Sequence, residues 1–106
     1  MTTVKYNRRE TTLSVKGHAG YAQAGQDIVC AAASMLGMTA AAAVQDNAAS
    51  FFPVISQSKK DNELRIACRP RGGSITSCRR VLDTIFTGYE ILAGQYPDHV
   101  RTEKED

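Results

Sequence analysis

A histidine, an aspartate and a cysteine lie close together in the first third of the chain, as His18, Asp27 and Cys30. The thiolate form of cysteine is the reactive nucleophile, and a helix N-terminus or a neighbouring imidazolium favours that form. With Asp27 as the N-cap of a helix, Cys30 falls at the third helical position, near unpaired amides and the positive end of the helix dipole. This pattern predicts nucleophilic catalysis, with Cys30 as the nucleophile and His18 as the base.

Asp27 and Ser34 are the candidate supporting residues of this pair. Asp27 caps the helix and, because a carboxylate has two oxygens, it can also orient His18 as a third catalytic member. Ser34 lies four residues after Cys30 and therefore on the same face of the helix. It either packs there as a small polar residue or makes a hydrogen bond within the site. The amides at the helix start are also placed to stabilise an oxyanion.

The segment between the histidine and the helix, residues 19–26, is rich in glycine and other small residues. Glycine adopts backbone dihedrals that other residues avoid, so we expect this segment to be a mobile active-site loop. The residues that we assign to the loop and its entry are Gly17, Ala19, Gly20, Tyr21 and Gly25.

The elements that position these residues follow from hydrophobic periodicity. Residues 2–7 and the run around Leu13 and Val15 alternate between apolar and polar side chains, which predicts two strands joined as a hairpin. His18 then stands at the exit of the second strand. The alanine-rich run from Cys30 to Val44 predicts a helix whose small side chains allow close packing against the sheet or a second subunit.

The second half of the chain follows the order strand, strand, helix. Phe51 to Lys59 predicts a strand with an irregular entry at Pro53, and Leu64 to Cys68 is the clearest strand pattern in the chain. A second helix, capped by Ser74 and ending near Gly94, carries an apolar stripe at three- and four-residue spacing. The order β-β-α-β-β-α predicts an α/β (α+β) two-layer sandwich with both helices on one face of a mixed four-stranded sheet.

Composition limits the classes of function. The 106 residues fit a single domain, 1–106, with a charged C-terminal tail at 101–106 whose last four residues we expect to fray. A net charge of +2 gives no reason to expect direct nucleic-acid binding. No membrane span is expected, because Ser34, Gly37 and Thr39 interrupt the alanine-rich run. The first residues show no export signal, which favours the cytoplasm.

The remaining candidate residues receive structural interpretations. Three cysteines without paired spacing are expected to be free thiols, with Cys68 and Cys78 in the core. A metal site built from His18 and the cysteines lacks the paired short spacing of zinc ligands, so no metal and no other cofactor is predicted. His99 is expected to be solvated in the tail. A basic rim is either solvated or meets an acidic partner or a ribosomal surface; it comprises Arg69, Arg71, Arg79 and Arg80.

The central stretch resembles the signature of a known family. The run from Gly17 to Ala22, then Gly25, then Asp27 to Ala32 and Ser34, is similar to the motif of the ribosomal-processing cysteine proteases, called Prp. The resemblance implies that His18 and Cys30 form the catalytic pair, with Asp27 and Ser34 in the site and a loop that moves on substrate binding. It also implies a homodimer that removes an N-terminal extension from a large-subunit ribosomal protein, cutting after an aromatic residue.

Other functions stay open at this point. A non-catalytic module that binds a ribosomal protein or a ribosome precursor would use the basic rim rather than Cys30. A phage-related protease that processes capsid proteins would carry the same motif. A redox-sensing thiol is a third alternative, since an activated cysteine is also easily oxidised.

Overall fold

Five strands and two long helices form the computed structural model, which describes all residues from 1 to 106. The elements are β1 (Thr2–Asn7), β2 (Thr12–Lys16), α1 (Ile28–Asp46), α2 (Ala48–Phe51), β3 (Val54–Ser58), β4 (Glu63–Ala67), α3 (Ile75–Gln95) and β5 (Val100–Glu105). The strands pair in the order β3-β4-β2-β1-β5, and only the pair of β1 with β5 is parallel. The sheet is therefore mixed, as predicted, but it has five strands rather than four.

The predicted hairpin is confirmed, and its register sets the inner face of the sheet. Val4 pairs with Val15 and Tyr6 pairs with Leu13 across the antiparallel strands β1 and β2. Tyr6 and Leu13 are each only 1% exposed. Because side chains alternate along a strand, the residues between them point to the opposite, polar face of the sheet.

Both long helices cover this inner face. The ring of Phe86 in α3 lies 5.3 Å from the ring of Tyr6 in β1. Gly37 of α1 packs so closely on β4 that an added Cβ would lie 2.8 Å from a methyl carbon of Leu64. Leu64 faces Val15 across β2 and β4, so it shares the face of Tyr6. The predicted two-layer arrangement, with the helices on one side, is confirmed.

Small residues bring α1 close to its neighbours. Its buried stripe recurs every three or four residues and consists of Val29, Ala33, Gly37, Ala40 and Val44. Tyr89 of α3 donates a hydrogen bond from its hydroxyl to the carbonyl of Ala33, at 2.7 Å. Burial raises the pKa of Tyr89. A buried hydrogen bond between Tyr89 and Ala33 therefore joins α1 and α3 within an otherwise apolar interface.

The C-terminal segment contradicts the prediction of a frayed tail. Residues 100–105 form β5, which pairs along the whole length of β1. Val100 is 2% exposed, and the Arg8 amide donates to the Glu105 carbonyl at 2.8 Å. A strand is held by backbone pairing, so charged side chains on its solvent-facing side do not prevent it from forming.

One boundary of the predicted elements is also wrong. Phe51 belongs to the short helix α2 rather than to a strand, and β3 begins at Val54, after the irregular entry that was predicted at Pro53. The second helix starts where it was predicted, with Ser74 at the N-cap position of α3, but the Ser74 side chain makes no capping hydrogen bond. Ser74 also ends a short 3₁₀ turn, Gly72–Ser74.

The expectation of no membrane-length apolar run also needs correction. By length and composition alone, the 19 residues of α1 would suffice to cross a membrane, with a mean hydropathy of 1.7. Ser34, Gly37 and Thr39 are small and uncharged, so they lower the hydropathy too little to interrupt the run. The core helix of a soluble protein satisfies the same criterion, and α1 buries one stripe against the sheet and α3.

Candidate active site

The start of α1 is fixed by the side chain of Asp27, which confirms the predicted N-cap. Oδ1 of Asp27 accepts a hydrogen bond from the Cys30 amide at 2.9 Å. Oδ2 accepts from the amides of Tyr21 and Ala22, at 2.9 and 3.2 Å. These hydrogen bonds hold the pKa of Asp27 below its usual range, and the bond from the Cys30 amide has the largest effect. Burial acts in the opposite direction and raises the pKa. One carboxylate thus ties the loop 19–26 to the helix.

The hydrogen bonds of Asp27 bear on two expectations: that the amides at the helix start stabilise an oxyanion, and that Asp27 orients His18. The Cys30 amide is committed to Asp27 and the Ala31 amide to the Asp27 carbonyl, at 3.0 Å, so neither amide is free to stabilise an oxyanion. Both Asp27 side-chain oxygens accept from backbone amides, and neither accepts from His18. The role of Asp27 in orienting His18 therefore stays a prediction.

The sulfur of Cys30 is half-buried and receives a backbone hydrogen bond. The Ala19 amide nitrogen lies 3.2 Å from Cys30 Sγ and donates to it. Ala19 itself is 2% exposed, although it opens a loop that is otherwise exposed. An amide that points at a sulfur stabilises the thiolate more than the neutral thiol.

His18 follows β2 directly, and the chain around it is held by the N-terminal strand. The Met1 nitrogen donates to the His18 carbonyl at 2.7 Å, and the Thr2 hydroxyl donates to the Gly17 carbonyl at 3.1 Å. Gly17 has a φ of +93°, and an added Cβ there would lie 2.5 Å from the Met1 carbonyl oxygen. Only glycine fits at position 17. The next residue, His18, has an exposed side chain at the exit of β2.

His18, Cys30 and Ser34 line one cavity of about 440 Å³. Its floor is apolar and is formed by residues of the sheet and both helices, namely Val15, Ala33, Gly37, Leu64 and Tyr89, and the exposed Met38 lies at its edge. Its rim is polar and comes from β3, β4 and their turn, with Gln57, Ser58, Lys59, Asn62 and Glu63. Ser34 is exposed and makes no hydrogen bond. A cavity of this size and lining can hold an apolar side chain beside the Cys30 sulfur.

The loop 19–26 packs on the segment between α3 and β5, where the prediction of a solvated His99 is wrong. His99 was expected to be solvated, but its Nδ1 lies 3.0 Å from the Ala19 carbonyl oxygen. The Tyr21 ring packs edge-on against His99 and Tyr96, with centroids 5.4 Å apart in each case. Eighty residues separate His99 from Ala19, so no local pattern reveals the contact.

The other cysteines and the arginines lie away from this cavity. Cys68 and Cys78 are buried in the core, as predicted, and the neighbouring Cys78 thiol, together with burial, raises the pKa of Cys68. No group of three or more His, Cys, Asp or Glu side chains is arranged to hold a metal ion.

In the basic rim, Arg79 donates to the Arg8 and Arg9 carbonyls, and the Arg71 guanidinium lies 4.9 Å from the Phe52 ring.

A family model described as cysteine protease Prp matches residues 1–101 of the chain. The chain belongs to the cysteine protease Prp family. As a Prp family member it is a cysteine protease, and two of its three cysteines lie in the core. No curated protein sequence matches the chain.

Solved structures share the Prp fold described above. The essential ribosomal processing protease Prp from S. aureus, with a covalently linked product peptide, superposes with a TM-score of 0.85 at 21% identity, covering 99% of this chain and 100% of that one. The same protease with a substrate peptide gives 0.77 at 21% identity, with the same coverage. SMU.848 from Streptococcus mutans gives 0.73 at 21% identity, covering 98% and 91% of the two chains. At these identities the likeness shows the fold.

Proposed function

We propose that the chain is a cysteine endopeptidase in which Cys30 is the nucleophile and His18 is the general base. The proposal rests on the position of Cys30. Its sulfur is half-buried in the first turn of α1 and accepts a hydrogen bond from the Ala19 amide. Cys30 also lines the same cavity as His18. Cys68 and Cys78 have no access to a peptide, since both are buried. Cys30 is therefore the cysteine on which protease activity depends.

The proposed reaction has two steps that share one base. His18 takes the proton of the Cys30 thiol, and the sulfur attacks the carbonyl carbon of the scissile peptide bond. The C–N bond then breaks, the amine leaves with the proton from His18, and a thioester remains on Cys30. Water, deprotonated by His18, hydrolyses the thioester and releases the second product and the free thiol.

We propose that the cavity beside the Cys30 sulfur selects the substrate. The apolar floor around Gly37, Leu64 and Tyr89 suits an aromatic side chain at the residue before the scissile bond. The S. aureus relatives are described as ribosomal processing proteases. We infer that this chain removes an N-terminal extension from a large-subunit ribosomal protein in the cytoplasm, cutting after an aromatic residue. Ser34 lines the same cavity. We also propose that the loop moves on peptide binding at residues 23–26, beyond the part that Asp27 and His99 hold.

A peptide assay tests this function directly. A synthetic peptide that carries the N-terminal extension and the first residues of the mature ribosomal protein is incubated with wild type and with Cys30→Ala. Mass spectrometry should find one cut after an aromatic residue with wild type and none with the variant. Replacing that aromatic residue by alanine should abolish the cut. An uncut wild-type sample, or equal cutting by Cys30→Ala, would exclude the proposed function.

The same assay separates the alternative functions. A non-catalytic module would leave every peptide uncut while still binding it. A phage-related protease would cut a peptide from a capsid protein and leave the ribosomal peptide intact. In the structure, Arg71 and Arg79 have partners within the chain, which leaves Arg69 and Arg80 as the free members of the basic rim.

We also infer that two copies associate through α1. Ile28, Met35 and Met38 project from its outer face and are 58%, 60% and 59% exposed, and Ile91 of α3 is 59% exposed. Ile28, Met35 and Met38 are spaced seven and three residues apart and so lie on one side of α1, and an exposed apolar patch on a helix marks an interaction site. Light scattering after size-exclusion chromatography should find a dimer for wild type and a monomer for Met35→Glu. Gln45→Glu, a charge added elsewhere on α1, should stay dimeric. A wild type that is monomeric at every concentration would contradict this inference.

A further inference from the structure

We propose that His99 is a positioning residue, which holds Ala19 so that the Ala19 amide points at the sulfur of Cys30. The inference rests on the proposed function, because it assigns a task within the same site. His99 lies in the connection from α3 to β5, far from Cys30 in sequence. The proposed link runs from the His99 ring through one backbone residue to the nucleophile.

Two hydrogen bonds on opposite sides of one residue form this link. His99 Nδ1 lies 3.0 Å from the Ala19 carbonyl oxygen, and since a carbonyl only accepts, Nδ1 carries the proton in this contact. The Ala19 amide lies 3.2 Å from Cys30 Sγ and donates to it. The Ala19 N–H lies in the peptide plane of the His18 carbonyl, which accepts from the Met1 nitrogen, and the Ala19 carbonyl lies in the next plane. The bond from His99 holds this second plane, so it restricts the position of the Ala19 Cα, about which the N–H plane turns.

His99 is itself held rigidly enough to serve this purpose. Its amide donates to the Tyr96 carbonyl at 2.9 Å, and its carbonyl accepts from the Thr2 amide of β1 at 2.9 Å. Its ring meets the Tyr21 ring nearly perpendicularly, at 82°, and Tyr96 meets the same ring at 78°. Edge-to-face contacts of this kind are favourable aromatic arrangements. The loop is thus anchored to the sheet and to α3 at its first residues.

The Ala19 amide matters because the amides of Cys30 and Ala31 are already bonded to Asp27. The Cys30 amide donates to Asp27, so the Ala19 N–H is the backbone donor that meets the sulfur. A hydrogen bond to a thiolate is charge-assisted and favours the reactive form of Cys30.

The test compares two variants of His99 that differ in one property. His99→Phe keeps a ring against Tyr21 but has no donor, whereas His99→Asn keeps an N–H donor near the position of Nδ1. Alkylation of Cys30 by iodoacetamide is followed against pH, and the modified cysteine is located by mass spectrometry. We expect His99→Phe to react roughly 10-fold more slowly at neutral pH, with its profile displaced to higher pH. His99→Asn should retain the wild-type profile.

Peptide cleavage supplies a second readout. His99→Phe should lower kcat by roughly 10-fold with little change in KM, because the amide acts on the sulfur and not on the bound peptide. Circular dichroism and Tm establish that both variants are folded. A wild-type alkylation profile in His99→Phe, or equal loss in His99→Phe and His99→Asn, would overturn the proposal. If wild type cuts no peptide but only His99→Phe changes the alkylation profile, the proposed function fails and the positioning role stands.

Discussion

The amide nitrogen of Cys30 lies 2.9 Å from Oδ1 of Asp27, so the candidate nucleophile and the helix cap share one hydrogen-bonded turn. The second carboxylate oxygen accepts from the amides of Tyr21 and Ala22. Asp27 therefore links two structures, the first turn of α1 and the loop that carries Ala19. Its pKa is held below the usual range, because these donors stabilise the charged form.

Asp27→Asn separates the two tasks of this carboxylate. Asparagine is a good N-cap, so the bond to the Cys30 amide is kept, but its NH₂ group would face the Tyr21 and Ala22 amides. We expect Asp27→Asn to lower the rate of peptide cleavage while Tm stays close to that of wild type, because the helix cap is kept and the loop contact is lost. Asp27→Ala loses both tasks, and its Tm should drop by roughly 4–8 °C. Thermal unfolding and peptide cleavage measured on the same samples check both expectations.

The depressed pKa of Asp27 also fixes the sign of a pH effect. A group whose folded pKa is lowered contributes stability above its unfolded pKa, about 4, and that contribution is lost as pH falls through the folded value. The Tm difference between wild type and Asp27→Ala should therefore be constant above about pH 5 and shrink below about pH 4. A difference that grows on acidification would contradict the assignment of these hydrogen bonds.

Gly37→Ala should fill the bottom of the cavity. An added Cβ would lie 2.8 Å from Leu64 Cδ2 and 3.1 Å from Tyr89 Oη, so a neighbour must move. Overpacking of this kind costs about 1–3 kcal/mol of unfolding free energy. We expect KM for an aromatic substrate to rise as the cavity narrows, measured by steady-state kinetics. Gly94→Ala is the matched control, because an added Cβ there meets nothing within 4 Å, and it should leave KM unchanged.

His18→Ala should remove the base without disturbing the fold. The His18 side chain is exposed and its ring makes no hydrogen bond, so Tm should stay within the range of surface substitutions. Loss of a general base lowers kcat by roughly 10²–10⁴-fold. Single-turnover cleavage together with a thermal melt checks both parts. An unchanged kcat would remove His18 from the mechanism.

Shortening the chain tests the strand that replaced the expected frayed tail. Ending the chain at His99 removes β5 and exposes the backbone edge of β1, which should lower Tm and promote aggregation. Ending it at Glu105 keeps the Arg8 to Glu105 backbone bond and should leave Tm unchanged. Light scattering during a thermal melt distinguishes the two chains. Equal behaviour would show that β5 contributes no stability.

Local chemistry explains which features the sequence could predict. The Asp27 cap and the β1–β2 hairpin depend on residues close together in the chain, and both were predicted correctly. The role of β5 escaped prediction, because its stability comes from backbone pairing with β1 rather than from its charged side chains. The contact of His99 with Ala19 joins residues 80 positions apart, so it depends on tertiary geometry, which residue types alone do not encode.

The most direct measurement of the central claim is the mass of the enzyme during turnover. Wild type is mixed with the peptide that carries the N-terminal extension, the reaction is quenched in acid within its first turnover, and intact protein is analysed by mass spectrometry. Our account predicts a thioester of the extension located on Cys30, and no adduct with Cys30→Ala. Cleavage of the peptide without any adduct on Cys30, or with Cys30→Ala as fast as wild type, would contradict it.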